Sequence, residues 1–329
     1  MSERLLIAGG RVFDPGRGLD ETADVLIEGG VILAIGSGLD RSGAEVIDAA
    51  GMLVVPGFVD LHAHLREPGF EHKGTIATET GAAARGGFTT VCAMPNTDPA
   101  PDSASAIESL LERIRMSAVV RVLPIGTITR GRAGKEIAEL AELAEAGVIA
   151  FSDDGNPVPD ATVMRRALVV ARSLGLPISE HSDDPVLNAG GVMNEGRISE
   201  RLGLAGQPAA AEITAIGRNI ALAEATGGHM HIAHISTARG IELVADAKAR
   251  GLAITCEVTP SHLFLTEDTV FGPGPDAAYE TNARVNPPLR TEADRQALIE
   301  GLRAGVIDAI ATDHAPHAIE DKLCEFDFA

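Results

Sequence analysis

The sequence predicts an α/β fold, a (β/α)8 TIM barrel preceded by a small β unit. Three observations lead there. Residues 1–55 form short, glycine-punctuated β-type runs with no helical period. From Pro56 onward, apolar strand-like runs alternate with helical stretches rich in Ala, Leu and Glu. That alternation repeats about eight times, the number a closed parallel barrel requires. No glycine-rich dinucleotide turn follows the first barrel strand, which argues against a doubly wound open sheet.

In the N-terminal unit, LLIAGGRVFDP, ADVLIEGGVILAIG and EVIDAAGMLVVPG read as strands joined at Gly-Gly or Asp-Pro turns. They are expected to form an antiparallel, sandwich-like but incomplete unit over 1–55, with the barrel over 56–329. The barrel strands are GFVDLHAHL, FTTVCAMPN, VVRVLPIGT, VIAFSDD, LPISEH, HMHIAHIS, LAITCEVT and IDAIATDH. Between most of them lie helical segments such as TIATETGAAARGG, KEIAELAELAEAG, ATVMRRALVVARSLG and EADRQALIEGLRAG. After IDAIATDHAPH only AIEDKLCEFDFA follows, too short for an eighth barrel helix, so the C-terminal part of the fold is expected to be missing from this sequence.

Composition narrows the function. Hydrophobic residues make up 45% and charged residues 22%, an ordinary globular balance. Aromatics are only 3%, with no Trp, so Ala, Val, Ile and Leu must fill the core, as a parallel barrel permits. A formal net charge of −20 argues against nucleic acid or anionic membrane as partner. A small anionic substrate stays open, because a metal or one buried Arg can reverse the local field. Cys92, Cys256 and Cys324 lie far apart without CxxC spacing, as suits a reducing cytoplasm. The N-terminus MSERLLIAGG lacks the pattern of a leader, and no run approaches the roughly 18 apolar residues of a membrane span. A soluble cytoplasmic protein is expected.

Candidate chemistry collects at strand ends. His62 and His64 form HAH near the end of the first barrel strand, and residues two apart on a strand share a face. Asp153 and Asp154 end the fourth strand, His181 the fifth, His234 the sixth and Asp313 the eighth. Each alone reads as a cap or a hydrogen-bonded strand-end residue. Together they read as a metal site at the C-terminal rim, since imidazole and carboxylate suit zinc. In VIAFSDD, Ile149 and Phe151 share a phase with Asp153 and should face the helices; Ala150 and Ser152 share a phase with Asp154 and should face inward. Asp154 is therefore the expected ligand. His229 and His231 also make an HxH, but they start their strand out of phase with His234 and read as structural.

PGFVDLHAHLREPG, GGFTTVCAMPNT, FSDDG, HIAHIST, NPPLR and ATDHAPH occur in an order that resembles the bacterial type I dihydroorotases of the amidohydrolase superfamily. The resemblance implies zinc-dependent, reversible opening of the cyclic amide of dihydroorotate to N-carbamoyl-aspartate, a step of pyrimidine biosynthesis. It implies His62, His64, Asp154, His181, His234 and Asp313 as ligands of one or two zinc ions, two being expected, with Asp154 bridging. Asp313 would be the general acid–base. Arg66, Asn96, Asn286 and His317 would grip the substrate. Allantoinases and dihydropyrimidinases or hydantoinases share the fold and the HxH, but generally place a carboxylated lysine on the fourth strand, and FSDDG has none. Non-catalytic dihydroorotase-like partners of aspartate transcarbamoylase have lost ligands that this sequence keeps; homo-oligomers or association with that transcarbamoylase stay open. Ser261 in VTPSHL and Ser182 in SEHSDD depart from the family's usual His and Cys, at positions that are not ligands in its pattern.

Overall fold

Leu6, Ala8, Gly10 and Val12 are buried at every second residue of β1 (Arg4–Asp14), so one face of this strand packs inward. β2 (Leu19–Glu28) and β3 (Val31–Gly36) follow it antiparallel. β4 (Glu45–Asp48) and β5 (Leu53–Val54) pair with β1 in parallel, which corrects the expectation of an all-antiparallel unit. The crossover is pinned by buried Asp24, whose carboxylate accepts from the backbone N–H of Gly9 at 2.9 Å and of Leu39 at 3.3 Å. Such long-range pairing leaves no trace in local periodicity. Gly10 is required there: a Cβ would stand 2.5 Å from Val54 Cγ2.

The computed structural model describes residues 4–274 and 277–329; residues 1–3, the start of the stretch read for a leader, lie outside the described residues. The chain divides into two compact units, Met1–Phe58 and Val59–Ala329. The second unit is α/β. Its strands are β6 (Phe58–Ala63), β7 (Phe88–Ala93), β8 (Arg121–Pro124), β9 (Ile178–Glu180), the short β10 (Met193–Asn194) and β11 (Gly206–Gln207), β12 (Met230–Ile232), β13 (Ile254–Val258) and β14 (Ala309–Ile310). Its helices are α1 (Ile76–Arg85), α2 (Ala104–Ser117), α3 (Leu140–Glu145), α4 (Ala161–Leu174), α5 (Arg197–Leu202), α6 (Ala209–Thr226), α7 (Ala238–Ala249), α8 (Pro260–Phe264), α9 (Glu292–Arg303) and α10 (Ile319–Lys322).

Local sequence explains these helices. α4 starts where Asp160 accepts from Thr162 N at 2.7 Å and stops at Gly175, whose φ of 70° is the left-handed conformation a helix C-terminus favours. Between them Val163, Met164, Ala167, Leu168 and Ala171 are buried at helical spacing. α3 is shorter than KEIAELAELAEAG predicts, because Ile137 pairs back with Thr129 as an antiparallel bridge before the helix can begin.

The strands fall into a sheet ordered β6-β7-β8 and a parallel sheet ordered β14-β13-β12-β9. The expected fourth strand, VIAFSDD, forms no ladder of its own. It is bonded on both sides all the same: Ser152 N donates to Gly126 O at 2.9 Å, and Phe151 N donates to Pro177 O at 3.1 Å. Parallel bridges pair Phe151 with Gly126 and with Ile178, and a further bridge pairs Ala63 with His314. The largest core cluster lies between strands and helices, around Phe151, Met164, Leu168, Ile178, Ile216 and Met230. Among the described residues, no helix is long and apolar enough to cross a membrane.

Candidate metal centre

Asp60, in phase with His62 on β6 and with His64 just beyond it, is buried and accepts from Thr312 N at 2.9 Å. That bond sets the HAH pair beside Asp313. His64 Nε2 then lies 3.0 Å from Asp313 Oδ1, and His62 Nε2 lies 3.4 Å from the same oxygen. Asp154 enters from the fourth strand position, with Oδ1 3.4 Å from His62 Nε2 and 3.6 Å from His234 Nε2, and Oδ2 3.5 Å from His64 Nε2. His181 Nδ1 is 2.8 Å from His234 Nε2 and 4.0 Å from Asp154 Oδ1. The six residues expected as ligands thus converge from five strand ends or the turns after them.

His234 and Asp313 hold φ of 31° and 48°, and Arg66 holds 64°. Left-handed backbone at a residue other than glycine costs about 1–3 kcal/mol and gathers where function requires it. Here it turns side chains at strand ends inward.

Asp153 and Asp154 part company. Asp153 Oδ1 accepts from Ile128 N at 2.8 Å and Thr129 N at 3.1 Å, and Oδ2 takes the Thr129 hydroxyl, so Asp153 is spent on holding backbone. Phe151 packs on the helical side, as its phase requires, and Ala150 packs beside Cys92 and Ile125. Ile149 departs from the phase rule by packing on that second cluster.

The electrostatics favour a cation. Burial pushes the Asp154 carboxyl up, but His62, His234 and His64 outweigh it and hold it well below the ordinary carboxylate value. Asp313 behaves alike: burial opposes, and His62 and His64 bring it below the ordinary value. Burial, aided by neighbouring His234, lowers His181 to about 3, so its imidazole is neutral with a lone pair to offer. His62 Nε2 and Asp154 Oδ1 are buried without any hydrogen-bond partner. Leaving such atoms orphaned costs about 1–3 kcal/mol each. Two sets of potential ligand atoms, His62–His64–Asp313 and His62–Asp154–His234, each lie within 4.8 Å of one another. Nitrogen and oxygen donors so arranged fit a metal such as zinc.

Beside this cluster opens a cavity of about 640 Å³, lined among others by Arg66, Asn96, Asn286 and His317. Asn96 Oδ1 accepts from His64 Nδ1 at 2.6 Å, and Asn286 Nδ2 lies 3.2 Å from His181 Nε2. Arg66 Nε donates to Pro316 O at 3.0 Å. Burial, with Lys73 and Arg66 nearby, lowers His317 to about 4 and leaves it neutral at pH 7. Sequence reasoning missed Gln207, Arg284 and Lys322, which also line the cavity. It missed Glu257 too, whose Oε1 is 2.7 Å from His62 Nδ1. A glutamate at an inward phase of the apolar run ITCEV was the available signal, since a buried carboxylate demands partners. His229 Nε2 and His231 Nδ1 both lie 2.9 Å from Thr255 Oγ1, apart from the cluster. Ser182 Oγ accepts from Asn219 Nδ2 at 3.4 Å.

Comparison with known proteins identifies relatives of the chain. The Dihydro-orotase-like family model matches residues 51–240. The chain is 52% identical over 326 residues to a dihydroorotase of Pelotomaculum thermopropionicum, covering 99% of this chain and 75% of that protein. It is 49% identical over 330 residues to a dihydroorotase of Anaeromyxobacter sp. strain K, covering 100% of this chain and 75% of the relative. Among solved structures, a D-hydantoinase matches with a TM-score of 0.82 at 25% identity, covering 99% of this chain and 72% of that one. The L-hydantoinase (dihydropyrimidinase) of Arthrobacter aurescens matches with a TM-score of 0.82 at 25% identity, covering 97% and 70% of the two chains. With a family model over more than half its length and relatives near 50% identity, the chain belongs to the dihydroorotase-like family.

Proposed function

We propose that this chain is a zinc-dependent dihydroorotase, opening the cyclic amide of dihydroorotate to N-carbamoyl-aspartate and closing it in reverse. The observation that carries the reading is the convergence of Asp154, Asp313 and the imidazoles of His62, His64, His181 and His234 beside a cavity lined by Arg66. These six side chains would hold one or two zinc ions. Bound there, zinc supplies Lewis acidity, which polarises the scissile carbonyl and makes the attacking water more acidic. In support of a closed (β/α)8 barrel around the site stand the bridges through Phe151 and between Ala63 and His314.

The protein's own residues do the rest. Asp313, ionised and at the cavity wall, takes the proton from the attacking water and returns it to the departing ring nitrogen. The Arg66 guanidinium offers a planar fork to the substrate carboxylate. Asn286 presents its amide from the wall, and Asn96, whose oxygen is engaged by His64, keeps its NH2 free for a substrate oxygen. Neutral His317 adds a hydrogen-bonding group without charge.

The test is ring opening measured side by side on dihydroorotate, hydantoin and allantoin with zinc-loaded protein. Turnover of dihydroorotate at least about a hundredfold above the others is expected. Preference for hydantoin, the ring named by the structural relatives, would overturn the substrate assignment.

A further inference from the structure

Glu257 stands in the middle of β13 with only 1% of its surface exposed. A carboxylate buried so deeply is unfavourable unless its oxygens are occupied, and both are. Oε1 lies 2.7 Å from His62 Nδ1 and 3.4 Å from the backbone nitrogen of His234. Oε2 lies 3.1 Å from His231 Nε2, a close contact without the alignment of a hydrogen bond. His231 is anchored in turn, with Nδ1 2.9 Å from Thr255 Oγ1. His231 of the second HxH therefore stands against the Glu257 oxygen that His62 does not use.

An ionised carboxylate accepts hydrogen bonds and donates none. Facing Glu257, His62 must keep a proton on Nδ1. When the ring holds a single proton, as a metal ligand must, the lone pair sits on Nε2, the atom that is 3.4 Å from both Asp154 Oδ1 and Asp313 Oδ1 and has no hydrogen-bond partner. His64 is oriented differently, by the neutral amide oxygen of Asn96 at 2.6 Å. A charged acceptor makes its imidazole a stronger electron donor than a neutral one does.

We propose that Glu257 is the positioning residue of the metal centre, fixing His62 in the Nδ1–H tautomer and aiming its Nε2 at the ion. This rests on the metal-centre reading above. Three measurements test it on the full chain: the His62 tautomer by nitrogen NMR of metal-free protein, zinc affinity by chelator competition, and the urea midpoint. The variants are Glu257→Met, similar in volume but without an acceptor, and Glu257→Gln, which keeps an acceptor oxygen.

Metal-free wild type, at a pH high enough to leave His62 a single ring proton, should show that proton on Nδ1. Glu257→Met should lose that preference and bind zinc about 10–100-fold more weakly, the usual effect of removing such a partner. Glu257→Gln should recover to within about threefold of wild type. A singly protonated His62 with its proton on Nε2 in the wild type, or unchanged zinc affinity in Glu257→Met alongside a lowered urea midpoint, overturns the proposal. Should Glu257→Met fail to fold, the wild-type tautomer and the Glu257→Gln affinity decide. Wild type that binds no zinc but keeps the Nδ1 proton overturns the metal-centre reading and leaves Glu257's hold on the tautomer standing.

Discussion

Asp153 and Asp154 are neighbours with the same side chain, and the backbone sends them to opposite tasks. Asp153 collects the N–H groups of Ile128 and Thr129, so Asp153→Ala leaves buried donors without an acceptor. That variant should lose about 2–4 kcal/mol in urea unfolding while keeping its zinc content. Asp154→Asn should do the reverse, folding normally but losing bound metal on dialysis. Asp313→Asn, which keeps shape but removes the base, should fold and yet turn over at least about a hundredfold more slowly, the lower range for general acid–base catalysis. Near-full activity in that variant would remove Asp313 from its role. The distinction between Asp153 and Asp154 was legible from strand alternation, because Phe151 and Ala150 declare which side is apolar and bulky. Glu257 was harder to see, because its meaning depends on His62, which lies 195 residues away in the chain.

At the scale of elements, α8 shows how one buried imidazole can set a pH response. Thr259 caps it, and His262 uses both ring nitrogens: Nδ1 is 2.7 Å from Thr259 Oγ1, and Nε2 is 3.1 Å from Pro287 O. Burial, with His234 nearby, lowers His262 to about 4 from an ordinary 6.5. The unfolded chain therefore binds the proton more readily. Stability from this group is complete above about pH 6.5 and is lost as pH falls towards about 4. Urea midpoints of metal-free protein should drop through that window, and His262→Asn should flatten the drop; an unchanged slope would contradict it. Most strands and helices were readable from period and caps. Among the exceptions, parallel β4 and β5, the β10–β11 pair, the fourth strand reduced to bridges at Phe151, and shortened α3 depend on partners distant in sequence or on a competing bridge, which no local pattern records.

At the scale of the whole molecule, a chain of net charge −20 presents a site where Arg66, Arg284 and Lys322 line the cavity beside the clustered imidazoles. The overall charge thus says little about which small molecule is taken, and the local cluster says more. The order of strand-end residues along the sequence was enough to anticipate that His62, His64, Asp154, His181, His234 and Asp313 would meet. The cavity wall was not, since Gln207, Arg284 and Lys322 come from connections whose paths depend on tertiary packing. A metal bound only by the folded state adds about 2.7 kcal/mol at a hundredfold excess over its Kd, so chelation should lower the thermal midpoint as well as turnover. The central claim is that these six residues hold the ion on which the reaction depends. It is tested most directly by titrating zinc into chelator-stripped protein while following dihydroorotate ring opening. Turnover should be absent at the start and rise to a plateau at one or two equivalents per chain; full turnover by the stripped protein would contradict the account.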